Sequence, residues 1–119
     1  MNLNGKIKEL EGKTGYPVEA DIYTGAADKY ITFTYEDERP VYAGNNRALA
    51  DEAYLQISFF CPSNFNYFET KHLIRDHLED LGFKVSIRSW LEDDLNQETN
   101  KIRRVLFEAR YTETRKRGI

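Results

Sequence analysis

The sequence predicts an α+β domain: an antiparallel sheet of about four strands with helices packed on one face, in the order α-β-β-α-β-β. Three observations carry this expectation. Residues 30–35 with 54–60, and 83–91 with 104–111, form two pairs of segments that alternate apolar and polar side chains. An amphipathic stretch with start and stop signals, residues 66–82, lies between the pairs, and a shorter one, residues 2–11, precedes both.

The leading helix rests on Leu3, Ile7 and Leu10, spaced i, i+4 and i+7, with Lys6, Lys8, Glu9 and Glu11 on its other sides. Gly12 and Gly15 are expected to break it, and Pro17 to send the chain on extended. The first strand places Ile31, Phe33 and Tyr35 on one side and Tyr30, Thr32 and Thr34 on the other. Pro40 disfavours regular pairing beyond Arg39, and Gly44-Asn45-Asn46 is a turn signal, so residues 36–53 read as a long hairpin connection. Alternation resumes through Leu55, Ile57 and Phe59 until Cys61-Pro62-Ser63-Asn64 stops the strand.

The second helix has a capping-box-like start, Asn66 with Glu69, although Ser63 or Asn64 also fits the cap. Tyr67, Thr70, Ile74, Leu78 and Leu81 share a stripe that Leu73 widens, and Arg75 is placed to pair with Glu79. Gly82 supplies a left-handed stop and Phe83 its hydrophobic contact. In the last pair Phe83, Val85, Ile87, Ser89 and Leu91 face the side that Val105, Phe107, Ala109 and Tyr111 face. Leu106 breaks that alternation and implies that the second face is partly covered. The acidic, aperiodic EDDLNQETN between them, residues 92–100, reads as an exposed loop.

One chain of 119 residues suffices for a single core, so residues 1–119 form one domain. Charged residues make up 31% and hydrophobic ones 40%, which excludes intrinsic disorder over most of the length. No run nears the ~20 apolar residues of a membrane span, and the charged start lacks the apolar stretch of a signal peptide, so a cytosolic protein is expected. The single cysteine, Cys61, agrees with a reducing compartment. The net charge of −3 hides an asymmetry: residues 101–119 hold seven Lys/Arg against two Asp/Glu, whereas residues 1–100 hold 10 against 18. The basic tail, residues 113–119, reads as a flexible, solvated terminus.

Residue types that carry chemistry have plain structural accounts. His72 and His77 are five apart on one helix, roughly 140° around it, and cannot share an ion. Cys61 ends a strand without a base beside it and reads as a small buried hydrophobe. The carboxylates cluster in predicted loops, where nothing prepares a general acid. Gly12-Lys13-Thr14 lacks the upstream glycines of a phosphate loop. No catalytic residue, cofactor or metal is expected. Tyr30, Tyr54 and Trp90 fall on the face opposite the core, where bases can stack, yet the acidic body opposes a phosphate backbone and subunit contact explains them more simply.

The order of elements, with the segments ADEAYLQISFFCPS, FETKHLIRDHLEDLGFKV and RRVLFEARYTE, resembles the tail terminator (tail completion) proteins of long-tailed bacteriophages and prophages. The likeness runs through residues 2–11, 30–60, 66–83 and 84–112. It implies a non-enzymatic structural protein that forms a ring, a hexamer on assembly, at the end of the tail tube and joins it to the head. The implied partners are further copies of itself, the major tail tube protein and head-tail connector proteins, with DNA passing through the lumen unbound and no membrane. The implied location is the virion neck, reached from the bacterial host cytoplasm.

Exposure and charge single out two interaction elements within that picture: Glu36, Asp37, Glu38, Arg39, Asn45, Asn46 and Arg47 in the first connection, and Glu92, Asp93 and Asp94 in the second. The alternatives are another neck protein, such as a head completion or stopper protein, a small ferredoxin-like RNA-binding or regulatory module, and, last, an enzyme.

Overall fold

The computed structural model describes residues 1–42, 45, 47–93 and 101–115. Among these residues, two helices and five strands follow one another as α1 (Asn4–Thr14), β1 (Val18–Ala20), β2 (Tyr30–Tyr42), β3 (Ala48–Pro62), α2 (Phe68–Asp80), β4 (Lys84–Asp93) and β5 (Lys101–Thr114). They build one sheet in the order β1-β2-β3-β5-β4. The class is the α+β expected; the strand count and the order are not. β1 is a fifth strand, paired in parallel with β2 from Val18↔Ile31 to Ala20↔Phe33, and its three residues are too few to show alternation. All other pairs are antiparallel. β5 inserts between β3 and β4, so consecutive β3 and β4 are not neighbours.

α1 runs through Gly12 and ends on Gly15, whose φ of 77° is left-handed and whose N–H donates to the Glu11 carbonyl at 2.9 Å. α2 starts later than its sequence signal: Asn66 Oδ1 accepts the Phe68 N–H at 3.3 Å, and no side chain caps from position 67. Its end matches expectation. Gly82 takes φ 102°, the Gly82 N–H reaches the Glu79 carbonyl at 2.9 Å and the Phe83 N–H reaches the Leu78 carbonyl at 3.0 Å. These are the two bonds of a Schellman stop, which let the chain turn directly into β4.

Both helices contribute to one core on one face of the sheet. Ile7 and Leu10 of α1 and Ile74 and Leu78 of α2 pack with Ile31, Phe33, Leu55, Ile57, Phe59, Val105, Phe107 and Ala109. Cross-strand register explains the cluster, because Phe33↔Ile57↔Phe107 and Ile31↔Phe59↔Val105 are rows across the sheet. Phe59 and Phe107 are fully buried, each worth about 1.5–3 kcal/mol of apolar transfer. Tyr35, at the end of the inward row, is half out: its hydroxyl accepts the Leu3 N–H at 2.7 Å and donates to Asn4 Oδ1 at 2.9 Å. Leu73 lies outside the packed stripe, 42% exposed.

Candidate interaction surfaces

The expected loop 36–53 is an arm of the sheet. β2 pairs with β3 from Tyr30↔Phe60 out to Tyr42↔Ala48, and β5 follows along β3 as far as Ala50↔Thr114. Every residue of β2 from Tyr35 to Tyr42 is exposed, and the molecule measures 58 Å along its longest axis against 25 and 23 Å across. Two register shifts make this possible, at Glu36 and at Leu49. Each absorbs one extra residue, so the acidic run and the proline fit a ladder that the sequence pattern alone disfavours. Pro40 falls where β2 is an outer strand, the place in a sheet where proline is tolerated.

The residues singled out from sequence are therefore strand residues for the most part. Glu36 accepts a hydrogen bond from the Gln56 side-chain amide across the arm. Asp37 is ion-paired with Arg39, which holds its carboxyl below the ordinary value. Glu38 lies 3.3 Å from the N-terminal ammonium of Met1. The Arg39 guanidinium sits 5.2 Å over the Tyr54 ring. Asn45 is in the turn, where its Oδ1 accepts the Arg47 N–H at 3.1 Å, and Arg47 is exposed. Asn46 lies outside the described residues. Glu92 and Asp93 belong to the end of β4, with Glu92 accepting the Trp90 indole N–H at 3.1 Å and Asp93 paired to Lys101. Asp94 lies outside the described residues.

The expected flexible tail 113–119 is anchored at its start. Glu113 and Thr114 are in β5, and Arg115 makes two hydrogen bonds to Asp51, at 2.7 and 3.0 Å. That pair holds the Asp51 carboxyl below the usual range. Glu52 is lowered in its turn by the Tyr54 hydroxyl, which donates to it at 2.7 Å and is itself raised. At neutral pH these carboxylates are fixed negative charges with no proton to give. Beyond them the arm becomes apolar: Val41, Tyr42 and Leu49 are 37%, 63% and 49% exposed.

The second surface is the sheet face away from the helices. A row of side chains crosses it from strand to strand. Tyr23 stacks on Tyr30 at 4.5 Å and Tyr30 on Phe60 at 4.9 Å. Arg104 follows, 5.3 Å from the Phe60 ring and 5.4 Å from that of Trp90, and its Nε donates to Ser58 Oγ at 3.0 Å. Tyr30 and Trp90 were legible as open-face aromatics. Tyr23, Phe60 and Arg104 were not, since only the register Tyr30↔Phe60↔Arg104↔Trp90 lines them up. Leu106, the break in the alternation, is 3% exposed on this face, which fits a partly covered surface.

Other residues with chemical potential are set apart from one another. Cys61 is buried, which pushes its thiol up to about 11. His77 Nε2 lies 3.7 Å from a Glu9 carboxylate oxygen, and His72 is exposed. Among the described residues no group of three or more His, Cys, Asp or Glu is placed to hold a metal ion, and no helix is long and apolar enough to cross a membrane.

No family model and no curated protein matches the chain. Fourteen chains of solved structures do match. One of them, which carries no functional name, shares 9% identity and a TM-score of 0.49 over 98% of this chain and 96% of its own.

Proposed function

We propose that this chain is a non-enzymatic structural subunit of a long-tailed phage or prophage: a tail terminator whose copies form a ring, a hexamer on assembly, that caps the tail tube and joins it to the head. The observation that carries this reading is the arm. A three-stranded projection with ionised carboxylates along it and exposed Val41, Tyr42 and Leu49 at its end is a reach toward a neighbour. Exposed apolar side chains at the tip of a rigid ladder suit contacts to a next subunit or to the tube rim. The acidic flank suits a lumen through which DNA passes without sticking. Tube protein, further copies and connector proteins are its partners, and the virion neck is where it acts.

Mixing the purified chain with polymerising tail-tube protein, with tube ends viewed by electron microscopy, tests the reading. A ring at one end of tubes of limited length supports it, and a Tyr42→Ser, Leu49→Ser double variant should leave tubes uncapped while remaining folded. Tubes that lengthen as if the chain were absent sink it and move the weight to another neck protein.

The row Tyr23, Tyr30, Phe60, Arg104 and Trp90 favours a second reading as a sheet-surface nucleic-acid binder. Its rings, however, are stacked on one another or on a guanidinium along the row, so their faces are already used and bases would have to displace them. A salt-dependent gel shift with single-stranded RNA separates the two readings.

A further inference from the structure

β4 closes one side of the sheet, with β5 its sole strand neighbour among the described residues. An outer strand offers half of its N–H and C=O groups to whatever lies beside it, and proteins guard such edges with proline, bulges or shortness. The opposite edge is guarded: β1 covers Ile31–Phe33, and beyond it β2 carries the bulge at Glu36 and Pro40. β4 has no proline and no bulge and is not short; what guards it is charge, Lys84, Arg88, Glu92 and Asp93. Its ten residues pair with β5 in unbroken register from Lys84 to Asp93.

Two large apolar side chains stand exposed beside this edge. Leu91 is 47% exposed and Phe68 is 54% exposed. Phe68 stacks at 4.8 Å on Tyr67, whose hydroxyl lies 3.4 Å from Ser89 Oγ, so this ring pair stands over the middle of β4 on the helix side. Charge is polarised along the strand, with Lys84 and Arg88 in its first half and Glu92 and Asp93 at its end. Laid antiparallel against itself, such a strand sets its basic half beside its acidic half.

We propose that β4 is a dimerisation strand: two copies of this chain pair β4 with β4, antiparallel, about a two-fold axis at Ser89, and so merge their sheets into one. Side chains select the register. With Ser89 opposite the second copy's Ser89, Ile87 meets the second copy's Leu91 on the helix side and Arg88 meets the second copy's Trp90 on the open side, each contact occurring twice. Centred on Arg88, the pairing opposes two guanidinium groups; centred on Trp90, it loses the Ile87–Leu91 contact and sets Ile87 against the second copy's Asp93, whereas about Ser89 the residue that meets Asp93 is the smaller Val85. The two Phe68–Tyr67 stacks then flank the seam and shield it. This pairing uses β4 and the ring reading uses the arm, so each stands or falls separately.

Sedimentation equilibrium of the full chain and oxidation of a Ser89→Cys variant test the pairing. The expected results are a species of twice the 14.0 kDa chain mass and fast disulfide formation across the seam. The Lys84→Cys variant should not link, because its two copies lie roughly 30 Å apart in this register. Native Cys61 is buried and stays silent. Leu91→Glu should weaken association ~30-fold or more, since the two-fold repeats a charge buried against Ile87. Within one chain the new carboxylate faces Arg103 across the ladder, so the monomer stays folded. A monomer at every concentration overturns the proposal, as does an oligomer in which Ser89→Cys fails to link or Leu91→Glu changes nothing. Capping of tubes in the microscope bears on the ring reading alone.

Discussion

Asp51 on β3 and Arg115, one residue past β5, are joined by two hydrogen bonds, 2.7 and 3.0 Å, while the Arg115 N–H donates to the Leu49 carbonyl at 2.8 Å. The pair ties the outermost part of the arm together across two strands. Arg115→Ala should therefore raise amide exchange at Ala50–Ala53 and at Glu113–Thr114 several-fold while moving the global melting midpoint little, because an exposed pair is worth about 0–1 kcal/mol. Exchange confined to the arm is the outcome to look for; global loosening would show that the pair supports the core instead.

The same pair makes the arm pH-dependent. Arg115 holds the Asp51 carboxyl below its ordinary 3.8, and Arg39 does the same for Asp37. A depressed folded value means that the contribution is present above 3.8 and lost as pH falls through the folded value. In an NMR titration Asp51 should show a midpoint below 3.8, and Arg115→Ala should return it to the ordinary range. An unchanged midpoint in the variant would remove the ion pair as the cause.

Arg104 makes the lone tryptophan a reporter of the open face. It sits between Phe60 and Trp90 and satisfies the Oγ of Ser58, which is 2% exposed. Arg104→Ala leaves that hydroxyl without its donor and uncovers the indole, at a cost of about 1–3 kcal/mol. Trp90 emission should shift to longer wavelength and quench more readily with acrylamide. Arg104→Lys should give an intermediate shift, since an ammonium keeps the charge and loses the planar fork.

At Gly82 a methyl group would be strained by the backbone as well as by its neighbour. The φ of Gly82 is 102°, and a Cβ there would stand 3.3 Å from the Tyr111 ring. Gly82→Ala should lower stability by about 1–2 kcal/mol, read as a lower urea midpoint with an unchanged slope. Gly12→Ala, with open space around the new methyl group inside α1, should be neutral or stabilising.

Burial raises the Cys61 thiol from 9.0 to about 11. The unfolded chain then loses its proton first as pH rises, so stability should fall between pH 9 and about 11 by an amount that Cys61→Ala abolishes. At pH 8 the folded thiol should react with a disulfide reagent only at the rate of unfolding, and guanidinium should release it at once.

Much of the fold was legible in the chain because local rules and global packing agree there. Alternation at 30–35, 54–60, 83–91 and 104–111 marked β2, β3, β4 and β5, and the Leu78-Gly82-Phe83 step marked the end of α2, because a strand facing one core must alternate and a helix stop needs a left-handed residue. The candidate site was less so. Glu36–Arg39 and Pro40 look like a loop in composition, yet they form a ladder because two bulges absorb the mismatch and an outer strand forgives proline. β1 is too short to leave a period in the sequence, and its place depends on the β2 edge that it covers. The row through Tyr30, Phe60, Arg104 and Trp90 joins residues up to 74 positions apart, held side by side by the insertion of β5 between β3 and β4. Periodicity thus determined which face of each strand is apolar, since that is a property of neighbours along the chain. Strand order, edges and register, and with them the arm, the open-face row and the place of β4 at the end of the sheet, were decided by tertiary pairing, because hydrogen-bonded backbones choose partners that no local pattern names.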